Sequence, residues 1–358
     1  FAGKEFLCDL IMEGLDQTRG WFYTLLVIST ALLDKPAYKT VICTGIILDD
    51  KGEKISKSKG NFVDPRTTLK VFGEDNLRIY HLSSPAVKAE PLRFNPRDIL
   101  KIQRSFMPWL NGYKFFSEFR TFYERSRLVF SPFQRKDFEQ MDRWIMSRTR
   151  TLNVDIRTAM EKFRVDQIYS LFLAYSEDLT NWYIKFNRNR LKGKEGLKSW
   201  DVSLSALYRV LLEGVKLFAP FMPFRCESLF LELKEYSPID REKESVFLCP
   251  YPSLEGFPED PEGELQMKAL QLVSSIVRHH RNLVGGRFSS VKMPLKRVTI
   301  GNPNEDFLIA LQKIETYLRK EINVQHIEYM TSDGIVSYSA TPNRPVLGKR
   351  LRKLAKEV

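Results

Sequence analysis

The amino-acid sequence predicts three successive regions: an α/β unit, an all-α helical bundle and a small α+β region. Three observations support this order. Strand-like and helix-like segments alternate at the start, longer patterns with a 3.6-residue period follow, and a linker rich in proline and glutamate then precedes strand-like pieces. The predicted boundaries are 1–95, 96–250 and 251–358.

The first strand and helix are predicted from apolar runs and a capping residue. Residues 6–12 are apolar and lie between turn-forming residues, which indicates a buried strand. Asp16 is then placed to cap a helix that continues to about Leu33.

A second strand is predicted over residues 40–44, and it leads through Gly45 into the apolar stretch 46–48 and a polar turn. Pro65 then opens a helix that Gly73 ends, and a further helix follows. Such alternation favours a parallel sheet, in which ligands bind at the carboxyl ends of the strands.

The bundle is predicted from long periodic segments that begin near Asn95-Pro96. Asp166 is placed to cap one helix, and Pro220 and Pro223 separate two others. The predicted helices are 166–186, 201–218 and 227–233, with 265–283 and the strand 296–300 in the last region.

Charge favours an anionic partner. The chain has 56 Lys+Arg against 44 Asp+Glu, a formal net charge of +12, and nucleic acid is the first candidate. The longest apolar run, 21–33, is too short to span a bilayer, so we expect no membrane association. The four cysteines lie far apart without metal-binding spacing, which predicts reduced thiols, no metal site and a cytosolic protein.

The loop 54–61 is the strongest candidate for a nucleotide site. Lys54 and Lys57 lie three residues apart with hydroxyl side chains between and beside them, so they can neutralise a pyrophosphate leaving group. A solvated, lysine-rich turn is the alternative interpretation. No Walker-type spacing and no Gly-x-Gly-x-x-Gly fingerprint are present in the sequence.

Four motifs in order resemble those of class I aminoacyl-tRNA synthetases. The sequence Lys-Ile-Ser-Lys-Ser at 54–58 is similar to the second signature of the class, with isoleucine in place of the usual methionine. The run 13–22, Glu-Gly-Leu-Asp-Gln-Thr-Arg-Gly-Trp-Phe, resembles the active-site turn of the isoleucyl branch. The segments 178–184 and 217–224 are similar to two helices of its anticodon-binding domain. A weaker similarity lies at 342–348.

The resemblance implies a fold and an activity. The α/β unit would be the C-terminal part of a Rossmann-like catalytic domain, and the bundle would be the anticodon-binding domain. The implied reaction activates isoleucine with ATP to isoleucyl-adenylate and transfers it to tRNA(Ile), with Mg²⁺ at the phosphates. Membership of a multi-synthetase complex stays open.

Residue roles follow from the same resemblance. Lys54 and Lys57 would hold the ATP phosphates and stabilise charge as pyrophosphate leaves, within a loop that also contains Ile55, Ser56 and Ser58. The positions near adenine would be Gly45 and Ile47, and those lining the aminoacyl-adenylate would be Glu13, Gly14, Asp16, Gln17 and Trp21.

Two of these assignments keep structural alternatives. The ring of Trp21 would form a wall of the isoleucine pocket, and a core aromatic residue of an amphipathic helix is the alternative. Asp16 could act only as a helix cap, which is compatible with a role in the site.

An RNA-contacting cluster is predicted on the helix near residue 180. Lys185, Arg188 and Arg190 would contact the anticodon stem-loop beside aromatic residues. Trp182 and Tyr183 themselves are expected in the bundle core, and a solvated charged face is the alternative for the three cations. Residues 278–281, Arg-His-His-Arg, are interpreted as a surface basic patch because adjacent histidines on a helix point in different directions.

The first class I signature, His-x-Gly-His, is absent from the sequence, whose histidines are His81, His279, His280 and His326. We therefore expect the chain to be part of a longer enzyme and to be inactive alone. A non-catalytic RNA-binding protein with a degenerate synthetase core is the alternative from a different class, and a valyl-type synthetase is a weaker one.

Overall fold

The computed structural model of the chain describes residues 8–56, 58, 60–61, 64–286 and 290–331, and it begins with a strand–helix–strand unit. Strand β1 (Cys8–Gly14) pairs in parallel with β2 (Tyr38–Thr44), and helix α1 (Trp21–Leu33) connects them. Gly14 lies opposite Thr44, so the carboxyl ends of both strands meet at one edge. Strand β1 ends two residues after the predicted strand 6–12, whose first two residues lie outside the described ranges. Strand β2 begins two residues before the predicted strand 40–44 and ends with it.

The segment between β1 and α1 differs from the prediction. Leu15–Arg19 forms a 3₁₀-helix, and α1 starts only at Trp21 after Gly20. Asp16 therefore does not cap α1, and that prediction was wrong. The side chain of Gln17 takes this role, because its Oε1 accepts a hydrogen bond from the backbone N–H of Trp21 at 2.7 Å.

Further short strands and helices complete this α/β part. Strand β3 (Ile47–Leu48) pairs in parallel with β4 (Leu92–Arg93). Helices α2 (Pro65–Phe72) and α3 (Glu74–Leu82) lie between them in sequence. In the described ranges, β1–β2 and β3–β4 are separate two-stranded parallel pairs, so the expected parallel pairing is present without a single continuous sheet.

Seven helices form the described part of the bundle, and large aromatic side chains fill its interior. Trp109, Trp144, Tyr175, Tyr183 and Tyr208 are each at most 2% exposed. The helices are α4 (Pro96–Ser105), α5 (Met107–Arg125), α6 (Gln140–Glu161), α7 (Ile168–Glu177), α8 (Arg188–Leu191), α9 (Leu197–Phe218) and α10 (Pro223–Leu233).

The predicted helix 166–186 is not continuous. Asp166 lies in a short 3₁₀ turn and forms ion pairs with Arg164 at 2.9 Å and Lys88 at 2.8 Å, so it does not cap α7. After α7 the chain continues as a π-helical segment, Asp178–Ile184. Such segments are rare and are frequent near functional sites.

The α/β part and the bundle are joined at the break between α9 and α10. Because Pro223 starts a new helix, the backbone N–H groups of its first turn lack partners within the helix. The buried carboxylate of Asp75 on α3 accepts from Arg225 N at 2.7 Å and from Phe224 N at 3.3 Å. Arg78 donates to the Pro220 carbonyl at 3.1 Å. The proline-rich break is thus a docking point for α3.

A second compact unit, Pro261–Val358, follows the first, Phe1–Asp260. Its described elements are α11 (Pro261–Val284), β5 (Leu295–Gly301), α12 (Glu305–Lys313), α13 (Glu315–Ile322) and β6 (Val324–Met330), with β5 and β6 parallel. The similarity at 342–348 lies outside the described residues. The predicted domain boundaries remain predictions.

Arg281 corrects the predicted surface patch 278–281. It is 3% exposed and donates to the carbonyls of Ser290, Met293 and Ile322 at 3.0, 2.8 and 2.7 Å. Only part of that patch is therefore at the surface. Among the described helices, none is long and apolar enough to cross a membrane.

Candidate nucleotide and RNA sites

The turn after β1 brings five predicted site residues into one short segment. Glu13 and Gly14 end the strand, Asp16 and Gln17 lie in the 3₁₀-helix, and Trp21 begins α1. A Cβ atom at Gly14 would lie 2.6 Å from Asp16 Oδ1, so a larger residue would displace that carboxylate.

Gln17 and Trp21 are coupled through the helix start. The bond from Trp21 N to Gln17 Oε1 holds the amide of Gln17 against the turn and fixes where α1 begins. The ring of Trp21 is 43% exposed, so among the described residues it is not part of a closed core. The turn therefore presents two carboxylates and an open aromatic face at the strand edge.

The lysine loop is held at its base by hydrogen bonds. After β3, Leu48 pairs with Lys54 in an antiparallel bridge, and Asp49 N donates to the Glu53 carbonyl at 2.9 Å. The Asp49 Oδ1 atom accepts from Glu53 N at 2.7 Å and from Lys51 N at 3.1 Å. This tight turn directs the chain from β3 into the loop.

Asn61 closes the loop from its other end. Its Nδ2 donates to Asp49 Oδ2 at 2.9 Å and to the Lys54 carbonyl at 3.3 Å, and its Oδ1 accepts from Ser56 N at 2.9 Å. The bond from Asn61, followed by that from Glu53 N, holds the pKa of Asp49 below its usual range. We call Asp49 and Asn61 the loop clamp.

Sequence reasoning missed the clamp. It treated Asp49 as an ordinary turn residue and gave Asn61 no role. The available signal was an acidic residue before the loop and an asparagine after it, both with side chains that commonly bind nearby backbone groups.

The remaining loop residues are described in part. Ser56 Oγ and Ser58 Oγ lie 2.7 Å apart and share a hydrogen bond, so the serines order each other. Lys54 is exposed at the end of the turn. Lys57 lies outside the described residues, and its assignment as a phosphate-binding catalytic residue stays a prediction.

Ile47 and Ile55 line one apolar cavity of about 290 Å³ beside the loop. Phe94 and His81 also line it, and burial lowers the pKa of His81, which favours a neutral imidazole. Ile47 and Ile55, which were each predicted at the nucleotide site, therefore lie at the same cavity.

Gly45 has a clear structural reason to be glycine. A Cβ atom there would lie 1.8 Å from the Glu90 carbonyl oxygen and 2.6 Å from its carbon, closer than atoms can approach. The N–H of Gly45 also donates to the Ala86 carbonyl at 2.7 Å. This contact holds the end of β2 against the segment before β4.

The predicted RNA cluster on the bundle separates into exposed and buried members. Lys185 and Arg188 are exposed, whereas Arg190 is 5% exposed. The guanidinium of Arg190 binds both carboxylate oxygens of Asp142, at 2.8 and 3.1 Å, and forms an ion pair with Glu139 at 3.0 Å. Arg190 thus has a structural role in this fold, and its guanidinium does not face outward as predicted.

The neighbouring aromatic residues belong to the core. Trp182 is 6% exposed, and Tyr183 is fully buried with its hydroxyl donating to Asp142 Oδ1 at 2.8 Å. Burial, and then the charge of Asp142, raises the pKa of Tyr183 well above its ordinary value, so its hydroxyl stays protonated.

No cluster of three or more metal-ligating side chains occurs within the described ranges. His279 and His280 are exposed on α11.

Two family models match the chain, one over the α/β part and one over a region that includes most of the bundle. Residues 2–93 match the family model for tRNA synthetases class I (I, L, M and V), and residues 142–288 match the anticodon-binding domain of tRNA ligase. A methionyl-tRNA synthetase structure from Mycobacterium tuberculosis, in complex with methionyl-adenylate, shares the fold with a TM-score of 0.50 at 18% identity. That match covers 70% of this chain and 50% of the other.

Curated relatives match almost the entire chain. The cytoplasmic isoleucine–tRNA ligase of Schizosaccharomyces pombe is 36% identical over 97% of this chain, and that of Caenorhabditis elegans is 39% identical over 99%. The chain spans 33% and 31%, about a third, of the length of these relatives. The chain therefore belongs to the class I aminoacyl-tRNA synthetases, in the isoleucine–tRNA ligase group, as part of a catalytic domain followed by an anticodon-binding domain.

Proposed function

We propose that the chain is part of an enzyme that activates isoleucine with ATP and transfers it to tRNA(Ile). One structural observation carries the proposal. The Glu13–Trp21 turn, Gly45 and the lysine loop each follow the carboxyl end of a parallel strand, β1, β2 and β3 respectively. This is where α/β folds bind nucleotides.

The residues of the turn would hold the aminoacyl-adenylate. Glu13 and Asp16 offer carboxylates for ribose hydroxyls or the substrate ammonium group, and Gln17 fixes the start of α1. The exposed ring of Trp21 supplies a rigid apolar wall for a branched aliphatic side chain.

The loop would act on the phosphates. Lys54, together with Lys57, would stabilise the negative charge that develops as the isoleucine carboxylate attacks the α-phosphate and pyrophosphate leaves. The loop clamp sets the position of Lys54. Mg²⁺ would arrive bound to the ATP phosphates, which supply the oxygen ligands that this ion prefers.

The βαβ unit also requires a further layer. Apolar side chains of β1, α1 and β2 are exposed, including Met12, Ile28, Leu32 and Val41. Parallel strands are ordinarily covered on both faces. We propose that the remainder of the catalytic domain, including its His-x-Gly-His signature, covers them in the complete ligase.

The bundle would bind the anticodon stem-loop of tRNA(Ile). Lys185 and Arg188 are the exposed cations that we retain from the predicted cluster. The names of the relatives include "cytoplasmic", and we propose the same location for this protein.

Binding to RNA tests the proposal. The chain is titrated with a tRNA(Ile) transcript and with the same transcript carrying one changed anticodon base, across a salt series. We expect binding that weakens with salt and with the base change. Equal affinity for both transcripts at every salt concentration would contradict an anticodon-reading role.

A further inference from the structure

Helix α5 carries a row of aromatic side chains on its outer face. Phe115, Phe119 and Phe122 follow each other at intervals of four and three residues, so they lie on one side of the helix. Their ring centroids are 4.7 Å and 5.7 Å apart. Phe122 is 44% exposed, and the other two are half-buried. We call these three residues the aromatic stripe.

The stripe is distinct from the side of α5 that packs in the bundle. Trp109, Phe116 and Tyr123 on that side are 1%, 2% and 4% exposed and pack in the core. The stripe is therefore apolar surface beyond the side that packs in the core, half-buried at Phe115 and Phe119 and exposed at Phe122.

Cations from another part of the bundle lie over the stripe. The guanidinium of Arg188 is 5.7 Å from the ring centroid of Phe115, and the ammonium of Lys192 is 5.2 Å from that of Phe119. These residues follow the π-helical segment, which packs against α5. The two cations and the stripe thus form one continuous surface from two elements.

Gly112 allows this close approach. A Cβ atom at position 112 would lie 3.2 Å from Ile184 Cδ1 and 3.5 Å from Thr180 Cγ2. Because α5 can approach the π-helical segment so closely, the cations that follow that segment reach the rings. The spacing of the surface is therefore set by core packing and exists before any ligand binds.

We propose that the aromatic stripe, with Arg188 and Lys192, is the stacking surface for unpaired bases of the tRNA anticodon loop. This inference rests on the proposed function and deepens it by naming the contact residues. Single-stranded loops are bound by aromatic faces on which bases stack, with cations beside them that hold the phosphates. Here the cations are Arg188 and Lys192, which approach the rings of Phe115 and Phe119.

Charge determines the orientation of the loop on this surface. Glu118 is exposed on α5 between Phe115 and Phe119 in sequence, and its carboxylate would repel phosphate. The phosphates would therefore follow the side with Arg188 and Lys192, and the bases would stack on the ring surfaces that these cations leave open. The net charge of +12 adds long-range attraction for RNA.

The experiment compares matched variants of the chain in binding to the tRNA(Ile) transcript and to its isolated anticodon stem-loop. The double variant Phe115→Leu/Phe119→Leu removes the stacking faces but keeps an apolar surface. We expect about tenfold weaker binding of both RNAs with an unchanged salt dependence. Phe224→Leu, at a phenylalanine that is 61% exposed on α10, serves as the control and is expected to bind normally.

Two further variants separate stacking from charge and from packing. Arg188→Gln/Lys192→Gln should reduce the slope of log affinity against log salt by about 1.4, the value for two phosphate contacts to a single strand. Phe115→Tyr/Phe119→Tyr keeps the ring faces and should bind within about twofold of the original chain. Tyrosine variants that bind as weakly as the leucine variants would overturn the stacking role.

Unchanged affinity of the leucine variant would also overturn the inference. If the same variant instead lowered the melting temperature of the complete ligase without changing tRNA affinity, the stripe would be covered by protein and not by RNA. These outcomes differ from failure of the proposed function, in which the original chain would not distinguish the two anticodon transcripts at all.

Discussion

Gly45 shows how a single residue can look like a ligand contact and yet be required by the backbone. The family resemblance implies a position near the nucleotide, and the fold places Gly45 against the backbone of Glu90. The two roles are compatible, because a strand end must be held firmly if the loop that follows it is to bind phosphate in a fixed position.

Replacing Gly45 with alanine should therefore destabilise the first unit. The added Cβ would collide with the Glu90 backbone, and we expect a loss of roughly 2 kcal/mol or more in the free energy of unfolding. Urea denaturation of the chain measures it.

Gly214→Ala is the matched control for that substitution. A Cβ at position 214, inside α9, would lie at an ordinary 3.7 Å from Tyr175 Cε1, so alanine should be neutral or slightly stabilising there. If both substitutions changed the free energy of unfolding by the same amount, the backbone around Gly45 would accommodate the added Cβ without loss of stability.

Glu213 on α9 provides a test by pH. Burial raises its pKa to about 7, although the charge of Lys216 opposes this. The folded state thus holds a proton that the unfolded state has released above the ordinary glutamate pKa of 4.5. Stability contributed by this group is complete below pH 4.5 and is lost as pH rises to about 7.

Glu213→Gln should remove this dependence. At pH 8 we expect the variant to be more stable than the original chain by roughly 1 to 3 kcal/mol, since no charge has to be buried. At pH 5 the advantage should largely disappear. Urea unfolding at both pH values measures it, and an advantage that is equal at pH 5 and pH 8 would argue against a raised pKa.

Within one helix, side chains that are close in sequence can differ in burial and in the contacts they make. Arg188 and Arg190 are both basic and close in sequence, yet one is exposed and the other pairs with Asp142 inside the bundle. The segment before α8 is π-helical, so a residue's face cannot be assigned there from the ordinary period of 3.6.

Arg190→Met should destabilise the bundle. It leaves Asp142 buried without its cation, and we expect a loss of about 3 kcal/mol or more in the free energy of unfolding. Arg188→Met, the matched control, should leave stability nearly unchanged and weaken tRNA binding. Thermal unfolding and RNA titration of both variants test this, and full stability of Arg190→Met would contradict the structural role.

The loop clamp is the corresponding feature of the α/β part. In the complete ligase, Asp49→Ala would release Asn61 and let Lys54 move, so we expect isoleucine-dependent ATP–pyrophosphate exchange to fall by about 10- to 100-fold. Affinity for tRNA should not change.

Asp50→Ala removes the adjacent exposed carboxylate and is the control for the clamp. It should keep normal exchange, because no described bond of the clamp uses Asp50. If both alanine variants were equally impaired, local charge and not the clamp would be responsible.

At the scale of the whole molecule, the chain combines one part that is nearly complete with another that needs additional protein. The bundle has a closed aromatic core, whereas the βαβ unit exposes apolar residues such as Leu32, which is 77% exposed. We therefore expect no isoleucine-dependent ATP–pyrophosphate exchange by the chain alone, because the sequence contains no His-x-Gly-His motif. Exchange above background would contradict this expectation.

The order of the regions, about half of the helices and the family could be predicted from the amino-acid sequence. These features depend on local signals: apolar periodicity predicted most of α9 and α11, and short motifs identify the synthetase class. The prolines marked the break after α9, but the next helix was predicted from residue 227, whereas α10 begins at Pro223. The turn 13–22 and the lysine loop 54–61 could also be predicted, because each is a short continuous motif.

Contacts between side chains that are far apart in the sequence could be identified only from the fold. The loop clamp joins residues 12 positions apart, Arg190 meets Asp142 across 48, and the rings of α5 meet Arg188 and Lys192 more than 70 residues later. Periodicity indicates that a face is apolar or basic, but not which element covers it. Burial therefore makes Arg190 structural and leaves Arg188 exposed.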